Sequence, residues 1–257
     1  MKTGERRNHI LSKIEKNGEV NVELLMREYN VSVETIRRDL RILDDRGYVK
    51  RIYGGAVKVE QSAGEIPFQE RLGRNQAKKE AIAREAVKFL EDGDSLFLDG
   101  KTTCLAFAKH IPAHLELTVV TNSVTVAQHL IENNKKCTVF MTGGELNEDG
   151  MITGPKLHQE LKEYRFEKAF FSTIALDATG CFYTRVEPQQ LARTLAEVSS
   201  KLILLADSSK INKVALLLGI STDDLDVVIT DDEAPESYVR DMQLRSCQLV
   251  LAAEEQS

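Results

Sequence analysis

Arg37, Arg38 and Arg41, introduced by Ser32, Glu34 and Thr35, are the residues of this 257-residue chain whose types and spacing imply chemistry most directly. A guanidinium offers a planar fork of N–H donors that fits phosphate oxygens and the major-groove edge of guanine. To use it, the arginines must share one side of a rigid element whose other side is buried. Val33, Ile36, Leu40 and Leu43 supply that side: they recur at intervals of three, four and three, one stripe of an α-helix. At about 100° per residue, the stripe lies roughly opposite Arg38, with Glu34, Thr35 and Arg41 beside Arg38 and Arg37 on the flank. Ser32 stands where an N-cap should, ready to accept from first-turn amides. Such a helix fits a DNA major groove. The competing reading is an ordinary solvated basic face, and the surrounding sequence argues against it.

Upstream, residues 6–16 carry Ile10, Leu11 and Ile14 on one side, and Gly18 follows as a stop. A short helix is expected over 22–29, with Asn21 as cap and Leu25 and Tyr29 in the core. Asn30 and Val31 form the turn into the basic helix. This is the order of a helix-turn-helix. After Gly47, residues 48–59 are rich in β-formers and broken by Gly54 and Gly55, which predicts a hairpin wing. Lys50, Arg51 and Tyr53 on that wing join the residues expected to face DNA.

Charge is distributed to match. The chain has a net charge of −6, but residues 1–58 hold 13 Lys/Arg against 9 Asp/Glu, and residues 59–257 hold 21 against 31. A basic excess gathered at the motif is the electrostatic footprint of a nucleic-acid binder. Cys104, Cys137, Cys181 and Cys247 are scattered, without metal-ligand spacing, so no metal site is expected and the thiols fit a reducing cytoplasm. The opening residues lack the apolar stretch of a signal peptide, and no run approaches the roughly 20 apolar residues of a membrane span. A cytoplasmic protein with no membrane partner is expected.

The chain is long enough for two domains. The reading is a DNA-binding domain over 1–58, a linker over 59–75 and a second domain over 76–257. Residues 60–67 are polar and small and end in proline, and 68–74 read as connecting sequence. A helix returns at 76–90. Short apolar runs at 95–98, 117–120, 138–141, 168–173, 202–206, 227–230 and 247–251 then alternate with helical stretches at 103–109, 124–132, 187–199 and 235–242. Alternation of this kind predicts an α/β layered fold around a mainly parallel sheet, whose ligands sit beyond the carboxyl ends of the strands.

Those ends are polar. They read Asp99-Gly100-Lys101-Thr102-Thr103, then Thr121-Asn122-Ser123, then Thr142-Gly143-Gly144, then Asp207-Ser208-Ser209-Lys210. Glycines, hydroxyls and helix N-termini offer donors to a phosphate. Each loop alone also reads as simple helix capping, but four on one edge of the sheet favour a site. The effector-binding residues expected are Asp99, Gly100, Lys101, Thr102, Thr103, Asn122, Ser123, Gly143, Gly144, Asp207 and Lys210.

The run from Ser32 to Leu40, with Thr35-Ile36-Arg37-Arg38-Asp39-Leu40 at its heart, followed by Leu43 and by Arg51-Ile52-Tyr53-Gly54-Gly55-Ala56, resembles the DeoR family of bacterial transcription regulators. The four polar strand ends resemble that family's effector domain, which is Rossmann-like and similar in fold to ribose-phosphate isomerases. Asp177 with Gly180 fits a recurring turn of the family. The resemblance implies a winged helix-turn-helix repressor of a carbohydrate operon. It would bind double-stranded operator DNA as a homo-oligomer, dimer or tetramer, and be relieved by a phosphorylated sugar or related metabolite, with no cofactor.

Two departures stand out. Family members carry Asp-Ser-Gly-Thr-Thr where this chain has Asp99-Gly100-Lys101-Thr102-Thr103, so either the turn shifts onto Gly100 or Lys101 reaches the ligand as a point charge. Many members carry a lysine near Ala192 or Arg193, where Arg193 stands here. Two rival readings stay open. One is a sugar-phosphate isomerase fused to a DNA-binding domain, with Asp99, Asp177 or Glu187 as general base. None of these has a His partner at its loop, and His110, His114, His129 and His158 fall in or beside helices. The other is a protein-interaction module, which the arginine placement and local positive charge disfavour. No catalytic residue is expected.

Overall fold

The computed structural model describes residues 6, 7, 9–11, 13, 14, 18–45, 49–58 and 68–254. The chain separates into two compact units, Met1–Gln61 and Ser62–Ser257. Residues 60–67, Gly47 and Tyr48 lie outside the described residues.

In the first unit, helix α1 holds residues 6, 7, 9–11, 13 and 14. It is followed by β1 (Glu19–Asn21), α2 (Val22–Tyr29), α3 (Val33–Asp45), β2 (Val49–Ile52) and β3 (Gly55–Lys58). Asn21 caps α2, accepting from the amides of Glu23 and Leu24, and Asn30 ends it in the left-handed region at φ 51°. The expected apolar stripe is the core: Ile36, Leu40 and Leu43 of α3 pack with Ile10, Ile14, Val22 and Leu25. Met26, off the tidy stripe of its helix, packs against the same cluster. The wing is larger than the expected hairpin. β1 pairs with β3, giving the sheet order β1-β3-β2. Three residues between a glycine and a helix are too short to show a strand by periodicity. The close approach of β1 explains Gly55, where a Cβ would meet the Val20 carbonyl oxygen at 2.0 Å.

In the second unit, seven strands form one parallel sheet: β4 (Ser95–Leu98), β5 (Thr118–Thr121), β6 (Thr138–Met141), β9 (Lys168–Phe171), β12 (Leu202–Leu205), β14 (Val227–Asp231) and β15 (Gln248–Ala252). Their order is β15-β14-β12-β9-β4-β5-β6. All seven coincide with expected strands within a residue or two. Side chains alternate between two cores: Phe97 and Leu204 join one, Leu96, Leu98, Ile203 and Leu205 the other. The helices over them are α5 (Gln76–Val87), α6 (Thr102–His110), α7 (Val124–Asn133), α8 (Pro155–Leu161), α9 (Val186–Val198) and α10 (Glu236–Met242).

Two features differ from the expectation. Residues 68–74, read as connecting sequence, hold helix α4 (Phe68–Gly73), whose Phe68 is buried in the second core. Short strands also surround the carboxyl edge of the sheet. The pair β7 (Glu145–Leu146) and β8 (Ile152–Thr153) forms one small sheet, and β10 (Ala175–Asp177), β11 (Gly180–Tyr183) and β13 (Leu217–Ser221) form another. The strand order reverses between β4 and β9, so the carboxyl ends of those two strands define the crevice where such sheets bind ligands.

Candidate functional site

The α3 helix of the first unit sorts its residues by side. Ser32 caps it, its Oγ accepting from the Thr35 amide at 3.3 Å and lying 2.9 Å from Thr35 Oγ1. Glu34, Arg37, Arg38 and Arg41 are exposed. Arg37 meets Glu34 at 3.4 Å, an exposed i,i+3 pair that leaves the guanidinium available. Asp39, between two outward arginines in sequence, turns inward and is 1% exposed. Its two oxygens accept from Arg6 Nε and Arg7 Nε, each at 2.7 Å, which fastens α1 to α3. On the wing, Lys50, Arg51 and Tyr53 are exposed, and Tyr53 leads the turn that Gly54 closes at φ 84°. The nine DNA-facing residues expected from sequence therefore fall on one helix, its cap and one hairpin.

At the crevice of the second unit lies a cleft. Asp99, Lys101 and Asn122 line it from the β4 and β5 ends. Asn147, Asp149, Met151 and Thr153 come from the β7–β8 pair and its turn, and Tyr183, Thr184, Arg185 and Glu187 from the end of β11 and the start of α9. Arg71 of α4 completes the wall.

The loop after β4 is where the Lys101 substitution falls. Lys101 has φ −68°, an ordinary extended conformation, so no glycine is needed there for its backbone. Gly100 serves a close approach instead: a Cβ would meet Ser123 Cβ at 2.7 Å and Met151 Cγ at 2.8 Å. The Gly100 amide donates to Asn122 Oδ1 at 3.0 Å, which ties the first two strand ends together. Lys101 Nζ turns back onto Asp99 Oδ2 at 2.7 Å and lies 5.7 Å from the centre of the Tyr183 ring. Thr102, Thr103 and Ser123 are buried beside this loop, and Ser123 caps α7.

Asp207 and Lys210 lie next to the cleft without being among the residues that line it. Asp207 Oδ1 accepts from Asn75 Nδ2 at 2.9 Å and from Ser209, and Lys210 Nζ donates to Ser172 Oγ at 3.0 Å. Burial pushes the Asp207 carboxyl up, but Lys210, Ser209 and Asn75 outweigh it and hold the acid below its usual range. Burial lowers the Lys210 amine despite Asp207. Lys79 of α5 is 5% exposed, and burial together with the charges of Lys210, Arg71 and Arg74 brings its amine down to about 8. Gly143 and Gly144 also stand outside the cleft lining, and the Gly143 amide already donates to Glu160 Oε2 at 2.7 Å.

The chain matches the DeoR-like helix-turn-helix domain over residues 6–62 and the DeoR C-terminal sensor domain over residues 74–232. The chain belongs to the DeoR family. It is a helix-turn-helix transcriptional regulator with a sensor domain. It is 32% identical to the glycerol-3-phosphate regulon repressor of Haemophilus influenzae, covering 98% of both chains. It is 30% identical to a putative aga operon transcriptional repressor of Escherichia coli O157:H7, covering 98% of this chain and 95% of that one. An HTH-type regulator of Bacillus subtilis, YulB, is 35% identical over 93% of each. Among solved structures, ribose 5-phosphate isomerase A from Methanocaldococcus jannaschii is similar over 54% of this chain and 56% of that chain, at 18% identity and a TM-score of 0.40.

Two DeoR family positions noted in the sequence have structural duties here. Arg193 donates to the Gly219 carbonyl at 3.2 Å and the Leu218 carbonyl at 3.0 Å, which ties α9 to β13. Asp177 Oδ1 accepts from the amides of Thr179 and Gly180 and closes the β10–β11 turn. Sequence reasoning missed Arg71, Asn147, Asp149, Tyr183, Thr184 and Arg185. They lie in segments with no polar strand end of the main sheet, and only the fold brings them to β4. All four cysteines are free, and among the described residues no cluster of His, Cys, Asp and Glu could hold a metal ion. No described helix is long and apolar enough to cross a membrane.

Proposed function

We propose that this regulator is a repressor of a carbohydrate operon that leaves its operator when a phosphorylated sugar or related polyol phosphate fills the cleft at the β4–β9 switch point. The observation that carries this reading is the cleft's lining. Arg71, Lys101 and Arg185 offer positive charge to an anion, while Asp99, Asp149 and Asn122 offer acceptors to hydroxyls. The names of two relatives, an aga operon repressor and a glycerol-3-phosphate regulon repressor, lend support. Of the residues expected from sequence, Asp99, Lys101 and Asn122 contact ligand. Gly100, Thr102, Thr103 and Ser123 shape the loop, and Asp207 and Lys210 set the charge behind it.

Ser32, Glu34, Thr35, Arg37, Arg38 and Arg41 meet DNA in the major groove, and Lys50, Arg51 and Tyr53 meet it from the wing. A homo-oligomer places two such units on the half-sites of an operator. The two sites are coupled by about 1–3 kcal/mol, the usual range for allosteric control. The functional domains are a DNA-binding domain over 1–58 and an effector domain that takes in α4 as well as 76–257, working in the cytoplasm without a catalytic role. No histidine is among the residues that line the cleft, and Asp177, one general-base option, is occupied by its turn.

A thermal-shift screen against phosphorylated sugars, polyol phosphates and their unphosphorylated parents tests the reading. Ligand at about a hundred times its dissociation constant stabilises a binding domain by roughly 2.7 kcal/mol. A selective shift with one phosphorylated compound, which then releases operator DNA, is the expected result. A shift with the unphosphorylated parent alone, or catalytic turnover of the phosphate, overturns it.

A further inference from the structure

Buried polar atoms without a hydrogen-bond partner include Arg71 Nε, Asp99 Oδ1 and Thr184 Oγ1, all on residues that line the same cleft. Buried polar groups are normally paired, and those that are not call for a ligand or a functional reason. A donor and an acceptor on residues that line one cleft suit a ligand that carries both an anion and hydroxyls.

Arg71 is the donor with the strongest case. It comes from α4, the first described element of the sensor unit, and not from a strand end. Its guanidinium carbon lies 5.6 Å from the centre of the Phe68 ring, and Phe68 is buried, so one face of the fork is fixed. Its Nη2 donates to Asp149 Oδ2 at 3.0 Å, in a pair whose side chains are only about a quarter exposed. Its carbonyl accepts from Lys79 Nζ. Two buried amines feel its charge: burial lowers both Lys79 and Lys210, and Arg71 lowers each further, while Asp207 raises both. The alternative anchor in the third loop is already engaged, because the Gly143 amide serves Glu160.

We propose that Arg71 is the anchor for the ligand's phosphate monoester, which displaces Asp149 from the guanidinium, while a ligand hydroxyl donates to Asp99 Oδ1. This rests on the sugar-phosphate reading of the cleft. A phosphate monoester near neutral pH carries about −1.5 to −2 charges and three acceptor oxygens, against one charge on the carboxylate it replaces. The fork of Arg71 can take two of those oxygens at once, which a lysine cannot.

The test is calorimetric titration of the full chain with inorganic phosphate, at ionic strength matched with chloride, alongside the phosphorylated panel. Arg71→Ala is expected to bind phosphate at least tenfold more weakly than the natural chain. Arg71→Lys should recover only part of the loss, and it keeps the question answerable if the alanine variant folds poorly. Asp149→Asn removes the competing charge and should bind several-fold more tightly. Phosphate binding by Arg71→Ala equal to that of the natural chain, or by Asp149→Asn no tighter, overturns the role of Arg71 and leaves the sugar-phosphate reading standing. If the natural chain binds neither phosphate nor any phosphorylated compound, that reading fails and the inference falls with it.

Discussion

The cations of the two units are held in opposite ways. Arg37, Arg38, Arg41, Lys50 and Arg51 stand in solvent on a helix and a hairpin, held in place by a core on the other side of the backbone. Lys79 is buried, and Lys101 and Lys210 are half-buried and each meets an acid or hydroxyl at about 3 Å or less. A polyanion meets the protein from outside, so charges for it must be exposed and gain from released counterions. A small ligand must be taken out of water, so its partners are desolvated beforehand and held in fixed geometry. The difference is one of where the cost of placing charge is met. In the first unit it falls on a separate core, and in the second it falls inside the site itself.

The largest expected effect would break the separation of core from contact surface in the first unit. Asp39→Ala leaves Arg6 and Arg7 without the carboxylate they share, and Arg6 is itself buried. Breaking a buried pair from one side typically costs about 3–5 kcal/mol. The unfolding transition of the helix-turn-helix unit should fall by that order in calorimetry while the sensor transition stays in place. A shift in the sensor transition alone would contradict the division.

Arg38→Ala comes next, because Arg38 is exposed and outside the core. Folding stability should hardly move. Operator affinity should drop by about 1–3 kcal/mol if Arg38 reads a base. A lower salt slope with a uniform loss across sequences would instead assign it to phosphate. An unchanged affinity would remove α3 as the recognition helix. Asn21→Ala is smaller. It deprives α2 of a side-chain cap that accepts from Glu23 N at 2.8 Å, and it should cost about 1 kcal/mol in the same unit.

The last effect is one of slope and belongs to the sensor. Burial, with Lys210 and Arg71, lowers the Lys79 amine to about 8 from an ordinary 10.5. Between those values the unfolded chain binds more protons than the folded one, so stability should rise with pH across that window. The penalty is full below pH 8. Lys79→Met should flatten the rise between pH 8 and 10 and raise the urea midpoint at pH 7. A slope that survives the substitution would place the titrating group elsewhere.

The same difference governs what could be read from sequence. In the first unit, Val33, Ile36, Leu40 and Leu43 announce the buried side, and the outward residues follow by rotation. Ser32, Arg38 and the wing were therefore legible. Asp39 was not, because its partners are over thirty residues away and no local period reveals an inward carboxylate. In the second unit, the seven parallel strands are continuous apolar runs and were found within a residue or two. The cleft was read only in part. Asp99, Lys101 and Asn122 sit on strand ends, where α/β sheets advertise ligand contacts. Arg71 and Asp149 are 78 positions apart and meet through α4 and the β7–β8 turn, elements too short to carry a pattern of their own. Gly143 looked like a phosphate cradle, but a glycine does not reveal that Glu160 has taken its amide.

The inward turn of Asp39 divides α3 into two independent alphabets. Positions 36, 39, 40 and 43 are spelled by the protein's own interior, and positions 34, 37, 38 and 41 are exposed, with 35 half-buried beside the Ser32 cap. The outer set can therefore be rewritten to seek a new operator without renegotiating the fold, provided that any helix grafted from a relative brings an aspartate at position 39 or replaces Arg6 and Arg7 as well. On the proposed reading, target preference becomes a portable cassette of outward side chains, and its portability depends on Asp39, which is buried.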